Sequence, residues 1–349
     1  MSKSKVQRQV KSRHIVLVTG ATSGMGRMLV ERLLASGDEV RVLLKKPPSE
    51  HIEWRQLPSG VRIYVADIKL VDDRTREVLM EACKGVDAIF HLAAVTYTNS
   101  SRYKEERTDT NLMVNTNVIG TENILQAYSD ANPNSKLKFI YTSSVSVYGY
   151  RRHGEVLTEE SEPKPMTPYG ESKYMAEQVV KAFGAANKNL TYTILRLGVI
   201  YGRGYEKSFM MVFKLITEKK LRYVGKGENH LTLITVDDAV DAIIDAIRSN
   251  KAANKTYNVT DGVPYTQRQL FDKAAKLLKV EGPKKGIHPL LARLAAKSHG
   301  IGDDQLEFLM SDRIISIKTA TRDIGFKQSV DIDTEGRRLA KEFLGKYRK

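Results

Sequence analysis

Short apolar runs alternate with amphipathic segments along the chain as far as Leu197. The runs, rich in β-branched residues, occupy 14–19, 39–44, 61–65, 86–92, 137–142 and 191–197. The segments between them place apolar residues at helical spacing and include 28–34, 109–128 and a helix that starts near Pro168. Strands that alternate with helices in this way predict an α/β fold built on a doubly wound parallel sheet of the Rossmann type.

A glycine-rich turn follows the first predicted strand. Gly20, Gly24 and Gly26 stand between the apolar run 14–19 and the amphipathic segment 28–34. Glycine allows a tight turn and a close backbone approach, and the N-terminus of the following helix offers free N–H groups to an anion. A strand, a glycine-rich turn and a helix in this order predict that the diphosphate of a dinucleotide binds here.

The ends of the next strands suggest how the rest of a dinucleotide is held. The second strand ends at Leu44, followed by Lys45 and Lys46, where an NAD-binding site usually has an acidic residue. Two cations and no carboxylate favour NADP(H) over NAD(H) as the cofactor. Asp67, after the third strand, is placed to reach the adenine, and His91, inside an apolar run, is interpreted as a core residue.

The organisation beyond the sheet is less regular. We expect a basic tail at 1–13, a dinucleotide-binding domain at 14–197 and a smaller C-terminal α/β domain at 198–349 that mainly binds the substrate, with 234–260 returning to the sheet. Ile287–Ala296 predicts an amphipathic helix. We interpret it as packed on the smaller domain, with a lid or a membrane-surface contact as alternatives.

Composition limits the cellular context. The 349 residues contain one cysteine, Cys83, which excludes an internal disulfide and a thiolate metal cluster. We therefore expect no metal site and a cytoplasmic location. The basic tail lacks the apolar core of a secretory signal, and no run of about eighteen apolar residues occurs, so we expect no membrane span.

The formal net charge is +15. A basic chain suits nucleic acid, but also an anionic cofactor or substrate, or solubility. The basic residues are scattered and enriched at both ends, without the interleaved aromatic residues that stack on bases. We expect a small-molecule substrate and no specific nucleic-acid binding.

Candidate chemistry lies in the stretch Pro168 to Lys173. In a helix, Tyr169 and Lys173 stand four residues apart on one face, where an ammonium can favour the ionised form of a phenol. A phenol titrates near 10 in water and is a poor proton carrier at neutral pH without such help. The pair alone is a weak signal, but the hydroxyl cluster at 143–146 follows a strand of the same sheet and points to the same crevice.

Taken together, the motifs resemble those of the extended short-chain dehydrogenase/reductases. They are Thr19-Gly20-x-x-x-Gly24-x-Gly26, Asp67, His91-Leu-Ala-Ala94, Asn117-Val-Ile-Gly-Thr121, Thr142-Ser-Ser144, Tyr169-x-x-x-Lys173, Arg196-Leu-Gly-Val-Ile-Tyr-Gly202, Ile234-Thr-Val-Asp-Asp238 and Ala320-Thr-Arg-Asp-Ile-Gly-Phe326. One departure is the glycine spacing, which is that of the shorter, single-domain members.

The resemblance assigns roles. Tyr169 corresponds to the general acid/base, Lys173 to the residue that lowers its pKa and binds the nicotinamide ribose, and Ser144 to the residue that polarises the substrate oxygen. Ser143 competes for the last role, but the 25-residue step from Ser144 to Tyr169 favours Ser144. A homodimer formed through the helices Asp109–Tyr128 and Tyr169–Ala186 is a further implication of the resemblance.

The resemblance and the strand ends together give two sets of binding residues. The substrate-binding set is Thr96, Ser144, Val145 and Ser146. The cofactor-binding set is Gly20, Thr22, Ser23, Gly24, Met25, Gly26, Lys45, Lys46, Asp67, Ile68, Leu92, Ala93, Ala94, Asn117, Thr142, Tyr169, Lys173, Gly198 and Val199.

Departures from the family pattern bear on the reaction. Val145-Ser146 stands where hexose 4,6-dehydratases of this family carry an Asp-Glu pair, so such a dehydratase is not expected. Val199 and Leu231 replace an Asn and an Arg of sugar-nucleotide epimerases. The motif at 196–202 and the segment 311–326 instead resemble the hydroxysteroid dehydrogenase and dihydroflavonol reductase side of the family.

The sequence therefore predicts an NAD(P)-dependent oxidoreductase that interconverts a secondary alcohol and a ketone by hydride transfer with a Ser-Tyr-Lys triad. One alternative is a nucleotide-sugar epimerase that uses the same triad. A second is a catalytically silent relative that senses NADP or binds RNA.

Overall fold

The computed structural model of the protein describes residues 14–47, 50, 57–96, 110–149, 153–298 and 308–347. The predicted basic tail at 1–13 lies outside these residues. In the described part of the chain, no helix is both long and apolar enough to cross a lipid bilayer.

The strands of the described residues are β1 (Ile15–Thr19), β2 (Glu39–Leu44), β3 (Arg62–Val65), β4 (Ala88–His91), β5 (Leu137–Ser144), β6 (Val156–Leu157), β7 (Leu190–Leu197), β8 (Val199–Tyr201), β9 (Tyr223–Val224), β10 (His230–Leu231), β11 (Leu233–Thr235), β12 (Lys255–Val259), β13 (Tyr265–Thr266), β14 (Gly286–Ile287) and β15 (Ile314–Ile315). The α-helices are α1 (Gly24–Ala35), α2 (Asp73–Cys83), α3 (Thr110–Met113), α4 (Gly120–Ala131), α5 (Pro168–Ala186), α6 (Glu206–Thr217), α7 (Val236–Arg248), α8 (Gln267–Leu278), α9 (Pro289–Ser298), α10 (Lys318–Ile324) and α11 (Ile332–Tyr347). Short 3₁₀ helices occupy Val145–Tyr148 and Asn250–Ala252.

Seven strands form one parallel sheet in the order β12-β7-β5-β4-β1-β2-β3. The chain starts in the centre with β1 and winds outward to both edges, which is the doubly wound arrangement predicted from the sequence. The six strands predicted up to Leu197 are all present, each within two residues of the expected bounds at either end. The fold class is thus confirmed. The winding direction changes between β1 and β4. Such sheets bind ligands at this point, beyond the carboxyl ends of the central strands β1, β4 and β5.

Helices cover both faces of the sheet. On one face, α1 and α7 bury apolar residues such as Leu29 and Val240 against Val18 and Tyr257. On the other face, α2, α4 and α5 pack against the sheet through residues that include Leu79, Ile124 and Val180. Both faces of each central strand are therefore buried, which explains why the strands are continuous apolar runs and do not alternate with polar residues.

A smaller layer of helices stands beyond the carboxyl edge of the sheet. Helices α6, α8 and α11 enclose a separate apolar cluster that contains Phe213, Leu278 and Phe343. Short strand pairs, β8 with β11, β9 with β14 and β10 with β13, connect this layer to the sheet. The chain then returns, because β12 pairs in parallel with β7 from Lys255↔Thr193 to Val259↔Leu197.

The long helix predicted at Asp109–Tyr128 is interrupted. Residues Val114–Ile119 form a π-helical turn between α3 and α4, and Asp109 lies outside the described residues. A π turn is rare and often marks a functional position. Here it contains the buried residue Asn117.

The amphipathic helix predicted at Ile287–Ala296 forms as α9, but not with the packing that we expected. Leu290, Leu291 and Leu294 are 64%, 56% and 66% exposed, whereas Ala292 is buried. Our interpretation of this apolar face as packed on the smaller domain is therefore wrong.

Candidate active site

Helix α5 presents the Tyr169 and Lys173 pair. Thr167 caps the helix by accepting a hydrogen bond from the backbone N–H of Gly170, and Pro168 occupies the first turn, where its missing N–H costs nothing. Gly170 packs closely, since a Cβ there would lie 2.8 Å from the carbonyl oxygen of Ser146. The start of the helix is thus fixed against the segment that carries the hydroxyl cluster, and Tyr169 and Lys173 line one cavity.

Lys173 is buried in an environment that disfavours its charge. Its side chain is 2% exposed, and Nζ lies 4.3 Å from the centre of the Tyr141 ring. Burial lowers the pKa of the ammonium to about 7, although the carboxylate of Glu177 opposes this effect. A cation held at such a cost next to a cavity is typical of a functional site.

A buried ion pair joins α5 to β7. Arg196 donates from Nε and a terminal nitrogen to the two oxygens of Glu177, at 2.9 and 2.7 Å. The hydroxyl of Ser143 also donates to Glu177, at 2.6 Å. Both Ser143 and Ser144 line the cavity, but the Ser143 hydroxyl is committed to this buried network. The Ser144 hydroxyl accepts a hydrogen bond from the backbone N–H of Ser146.

The glycine-rich turn is shaped by close packing. Gly20 has a φ of +71°, which favours glycine, and a Cβ on Gly26 would lie 2.2 Å from the carbonyl oxygen of Gly20. Ser23 caps α1 by accepting from the N–H of Gly26 at 3.0 Å, and Thr22 accepts from the Arg27 side chain through its carbonyl oxygen. The positive end of α1 and a half-buried arginine therefore meet at this turn, which fits a dinucleotide diphosphate.

Tyr205, which the sequence did not single out, covers the same turn. Its hydroxyl accepts from the backbone N–H of Met25 at 3.4 Å. A Cβ on Gly24 would lie 2.9 Å from the Tyr205 ring and 3.1 Å from Gly204. The segment after β8 thus closes over the N-terminus of α1, and Tyr205 joins Ser23 and Met25 in the cavity wall.

The residues expected at the adenosine end lie together. Nζ of Lys45 is 3.6 Å from a carboxylate oxygen of Asp67, at the ends of β2 and β3. Lys46 is exposed beside it. Ile68 is buried, and its side chain occupies the space next to Gly120, where a Cβ would lie 2.7 Å away.

His91 is confirmed as a core residue. It is fully buried, with Nδ1 2.8 Å from the Thr19 hydroxyl and Nε2 3.0 Å from the Thr121 hydroxyl. Burial, and to a lesser extent the charge of Lys173, lowers the pKa of the imidazole to about 3. The Thr19 hydroxyl also accepts from the N–H of Ala93, so His91 helps to fix the end of β4.

Asn117 acts as a link between segments. Its amide nitrogen donates to the carbonyl of Val95 and to the Ser172 hydroxyl, and its amide oxygen accepts from the N–H of Val95. It is buried and absent from the cavity wall. The side chain therefore joins the segment after β4 to the helix that carries Lys173.

The cavity has a volume of about 620 Å³ and gathers many of the expected residues. Those that line it are Ser23, Met25, Leu92, Ala94, Thr96, Thr142, Ser144, Ser146, Tyr169, Lys173, Gly198 and Val199. Those not in its wall are Gly20, Thr22, Gly24, Gly26, Lys45, Lys46, Asp67, Ile68, Ala93, Asn117 and Val145.

Val145 requires a correction. We expected it to contact substrate, but its side chain is 1% exposed and packs in a cluster with Val147, Tyr148, Leu157 and Ile315. The reason is local. Residues Val145–Tyr148 form a 3₁₀ turn capped by Ser144, which leaves Ser146 at the cavity and Val145 in the core.

The far side of the cavity is mostly apolar. Leu231, 3% exposed, lines it together with residues of α6 and α8 that sequence reasoning missed, including Phe209, Val212, Leu270, Phe271 and Leu277. The cations of this part of the wall are Arg222, Lys273 and Arg313, and Lys273 is paired with Asp333 at 2.8 Å. No pattern in the sequence marked the apolar residues of α6 and α8, because an amphipathic helix that lines a cavity looks the same as one that lines a core.

Comparison with known proteins gives a consistent result. Residues 16–260 match the NAD dependent epimerase/dehydratase family. The chain is 28% identical over 278 residues to the N-acetyl-alpha-D-glucosaminyl-diphospho-ditrans,octacis-undecaprenol 4-epimerase of Escherichia coli O157:H7, covering 79% of this chain and 76% of that protein. It is 28% identical over 339 residues to a 3-beta-hydroxysteroid dehydrogenase of Mycolicibacterium neoaurum, covering 89% and 86%.

Solved structures share the fold. The dTDP-glucose 4,6-dehydratase DesIV of Streptomyces venezuelae, determined with NAD bound, matches with a TM-score of 0.73 at 22% identity, over 96% of this chain and 98% of that one. A UDP-glucuronic acid 4-epimerase of Bacillus cereus, also in complex with NAD, matches with a TM-score of 0.72 at 21% identity, over 95% and 99%. These likenesses show the architecture alone.

Proposed function

The chain belongs to the NAD-dependent epimerase/dehydratase family, the extended short-chain dehydrogenase/reductases, and from that premise we propose that it is an NAD(P)-dependent oxidoreductase acting on an apolar secondary alcohol or ketone. The observation that carries this proposal is the cavity wall beyond Tyr169 and Lys173. Leu231 and Val199 line it where a sugar diphosphate would need polar partners. The named steroid substrate of one relative is apolar as well.

The proposed chemistry divides between cofactor and protein. A bound nicotinamide supplies the hydride acceptor or donor at a carbon atom. Tyr169 gives a proton to, or takes one from, the substrate oxygen, and the charge of Lys173 favours the phenolate that this requires. Ser144 holds the same oxygen through its hydroxyl, because Ser143 is committed to Glu177.

The residues around the turn support a dinucleotide. The N-terminus of α1, Arg27 and Tyr205 would hold the diphosphate, and Lys45 would meet a 2′-phosphate on the adenosine ribose. Structural neighbours bind NAD. NADP as the preferred cofactor is our proposal and rests on the absence of an acidic residue at positions 44–46.

The test is a substrate panel. We expect oxidation of NADPH or NADH with steroid and isoprenoid ketones, and no conversion of UDP-glucose to its C4 epimer. Tyr169→Phe should lose at least about 100-fold in kcat while it retains cofactor affinity within a few fold. Leu231→Arg should raise KM for the apolar ketone, with Val71→Arg, a change at an exposed residue, as the matched control. Unchanged turnover in Tyr169→Phe would remove the basis of the assignment.

A second candidate is an epimerase of a sugar diphosphate. Arg222 and Arg313 line the cavity and offer guanidinium groups to phosphate oxygens. An undecaprenyl-linked sugar, as in the name of one relative, would combine a diphosphate with an apolar chain. Conversion of a sugar diphosphate to its C4 epimer without net consumption of NAD(P)H would favour this candidate. A catalytically silent relative that senses NADP or binds RNA is disfavoured, since Tyr169 and Lys173 are both retained at the cavity.

A further inference from the structure

Three residues of the types that bind metals cluster outside the cavity wall. His153, His230 and Asp312 bring one ligand atom each, an imidazole nitrogen from each histidine and a carboxylate oxygen, within 4.8 Å of one another. They come from three separate segments: the chain before β6, strand β10 and the chain before β15. We propose that these three residues bind a divalent transition-metal ion, with Zn²⁺ as the reference ion. The proposal does not depend on the reaction proposed above.

The carboxylate is held in place for such a role. Asp312 is 9% exposed, and its Oδ1 accepts from both the backbone N–H and Nδ1 of His230, each at 2.7 Å. Its Oδ2 accepts from the N–H of Gly154 at 3.1 Å and lies 2.6 Å from Nδ1 of His153. The two backbone N–H groups orient the carboxylate and remain available to it when the imidazoles turn to an ion.

The imidazoles are arranged to share one partner. Their ring centres lie 5.8 Å apart in a stacked arrangement, and both Nδ1 atoms face the carboxylate. Two histidines and one carboxylate form a ligand set that suits Zn²⁺, with ligand distances of about 2.0–2.2 Å. In a tetrahedral site with these bond lengths, nitrogen and oxygen ligands stand about 3.3 Å apart.

The nitrogen–oxygen distances need only a small change to admit an ion. Each Nδ1 now lies 2.7 or 2.6 Å from its carboxylate oxygen, and must withdraw by about 0.6–0.7 Å and give up its proton. His153 has room for this movement because its side chain is 70% exposed, whereas His230 is 18% exposed. The exposed side also leaves space for water as a fourth ligand.

An ion bound by these three residues would stabilise the wall of the cavity. Leu231 follows His230 and Arg313 follows Asp312, and both of these neighbours line the cavity. Arg313 also donates from Nε to the carbonyl of Gly149, near the hydroxyl cluster. An ion would therefore join two segments of the cavity wall to the chain that leaves the active site. It would stabilise the folded state, because the unfolded chain does not bring the three ligands together.

The test measures metal binding directly. The full chain is stripped with a chelator and titrated with Zn²⁺ by calorimetry, and with Co²⁺ by visible absorption. We expect one ion per chain and a rise in Tm on adding Zn²⁺. Loss of an outer-sphere partner typically weakens metal binding roughly 10- to 100-fold, and His153→Ala, which removes a ligand, should weaken it more than that. The variant should fold because the His153 side chain is exposed. His288→Ala, at another exposed histidine, is the matched control.

The competing explanation is an ordinary hydrogen-bonded cluster with two imidazoles on one carboxylate. That explanation predicts no stoichiometric ion, and this result overturns the proposal. Equal affinity in wild type, His153→Ala and Asp312→Asn also overturns it, because the ion then binds elsewhere. A loss of affinity in both variants, with His288→Ala unchanged, supports the site.

Discussion

Replacing Lys173 with methionine should stabilise the protein while abolishing its activity. The methionine keeps the length and most of the apolar volume of the lysine, but it removes a cation that is 2% exposed. Tyr141 and the buried surroundings then enclose a neutral side chain. Glu177 keeps its two hydrogen bonds from Arg196, so the substitution leaves no unpaired carboxylate.

The size of the expected stabilisation follows from the pKa of Lys173. The folded state lowers the pKa of Lys173 from 10.5 to about 7. At about 1.4 kcal/mol for each tenfold change in proton affinity, the charge costs the folded state about 5 kcal/mol below pH 7. This cost decreases as pH rises towards 10.5, because the folded protein releases a proton that the unfolded chain retains, and it is about 2 kcal/mol at pH 9.

The direction of the pH dependence of stability is therefore fixed. In wild type, Lys173 makes the free energy of unfolding rise with pH between about 7 and 10.5. The methionine variant lacks this contribution. The stability difference between variant and wild type should be about 3 kcal/mol larger at pH 6 than at pH 9. The cation–π contact with the Tyr141 ring stabilises only protonated Lys173, so its contribution is already contained in the folded-state pKa and does not alter this difference.

The assay is urea unfolding at pH 6 and pH 9, monitored by tyrosine and tryptophan fluorescence. Lys136→Met, a change at an exposed lysine, is the control and should show no pH-dependent difference from wild type. Other titrating groups are common to the three proteins and cancel in the comparison. If wild type and Lys173→Met show the same change in stability between the two pH values, Lys173 is not a buried cation and the reasoning fails.

Three further predictions test the neighbouring residues. Ser144→Ala should lower kcat by about 100-fold or more, whereas Ser143→Ala should keep kcat within a few fold and cost about 1–3 kcal/mol of stability, since it leaves a carboxylate with one donor fewer; steady-state kinetics and urea unfolding separate the two, and equal kinetic losses contradict the assignment. Gly26→Ala should reduce cofactor affinity and Tm, because its Cβ would lie 2.2 Å from the Gly20 carbonyl oxygen; calorimetry and a thermal melt are the measurements, and wild-type values would refute the close packing. Lys45→Ala should weaken NADPH binding by about 5-fold or more with little change for NADH; equal effects on both cofactors would argue against a 2′-phosphate contact.

Much of the fold could be predicted because the strands are buried on both faces. A strand covered by helices on each side must be apolar at every position, and runs such as 137–142 therefore stand out in the sequence. The relation between Tyr169 and Lys173 follows from helix geometry alone. These features depend on neighbouring residues, and for that reason a single sequence shows them.

The rest depends on contacts between distant segments. Tyr205 reaches the N-terminus of α1 from 180 residues away, and nothing near it in sequence indicates a role at the glycine-rich turn. Val145 was misplaced because a 3₁₀ turn follows β5 and changes which side chains face the cavity. The residues of the cluster around Asp312 are far apart in sequence and form no ligand motif. Our expectation of no metal site therefore rested on cysteine content alone.

The return of the chain to the sheet at β12 limits how proteins of this architecture can be recombined. Helix α7 precedes β12 and is joined to α1 by ion pairs from Arg32 to Asp237 and Asp241. A chimera with one crossover after Leu197 would import a foreign edge strand against β7 and a foreign partner for α1. Substrate preference can therefore be transferred intact only as two inserts, one before α7 and one after β12, with the host keeping the strand and helix between them.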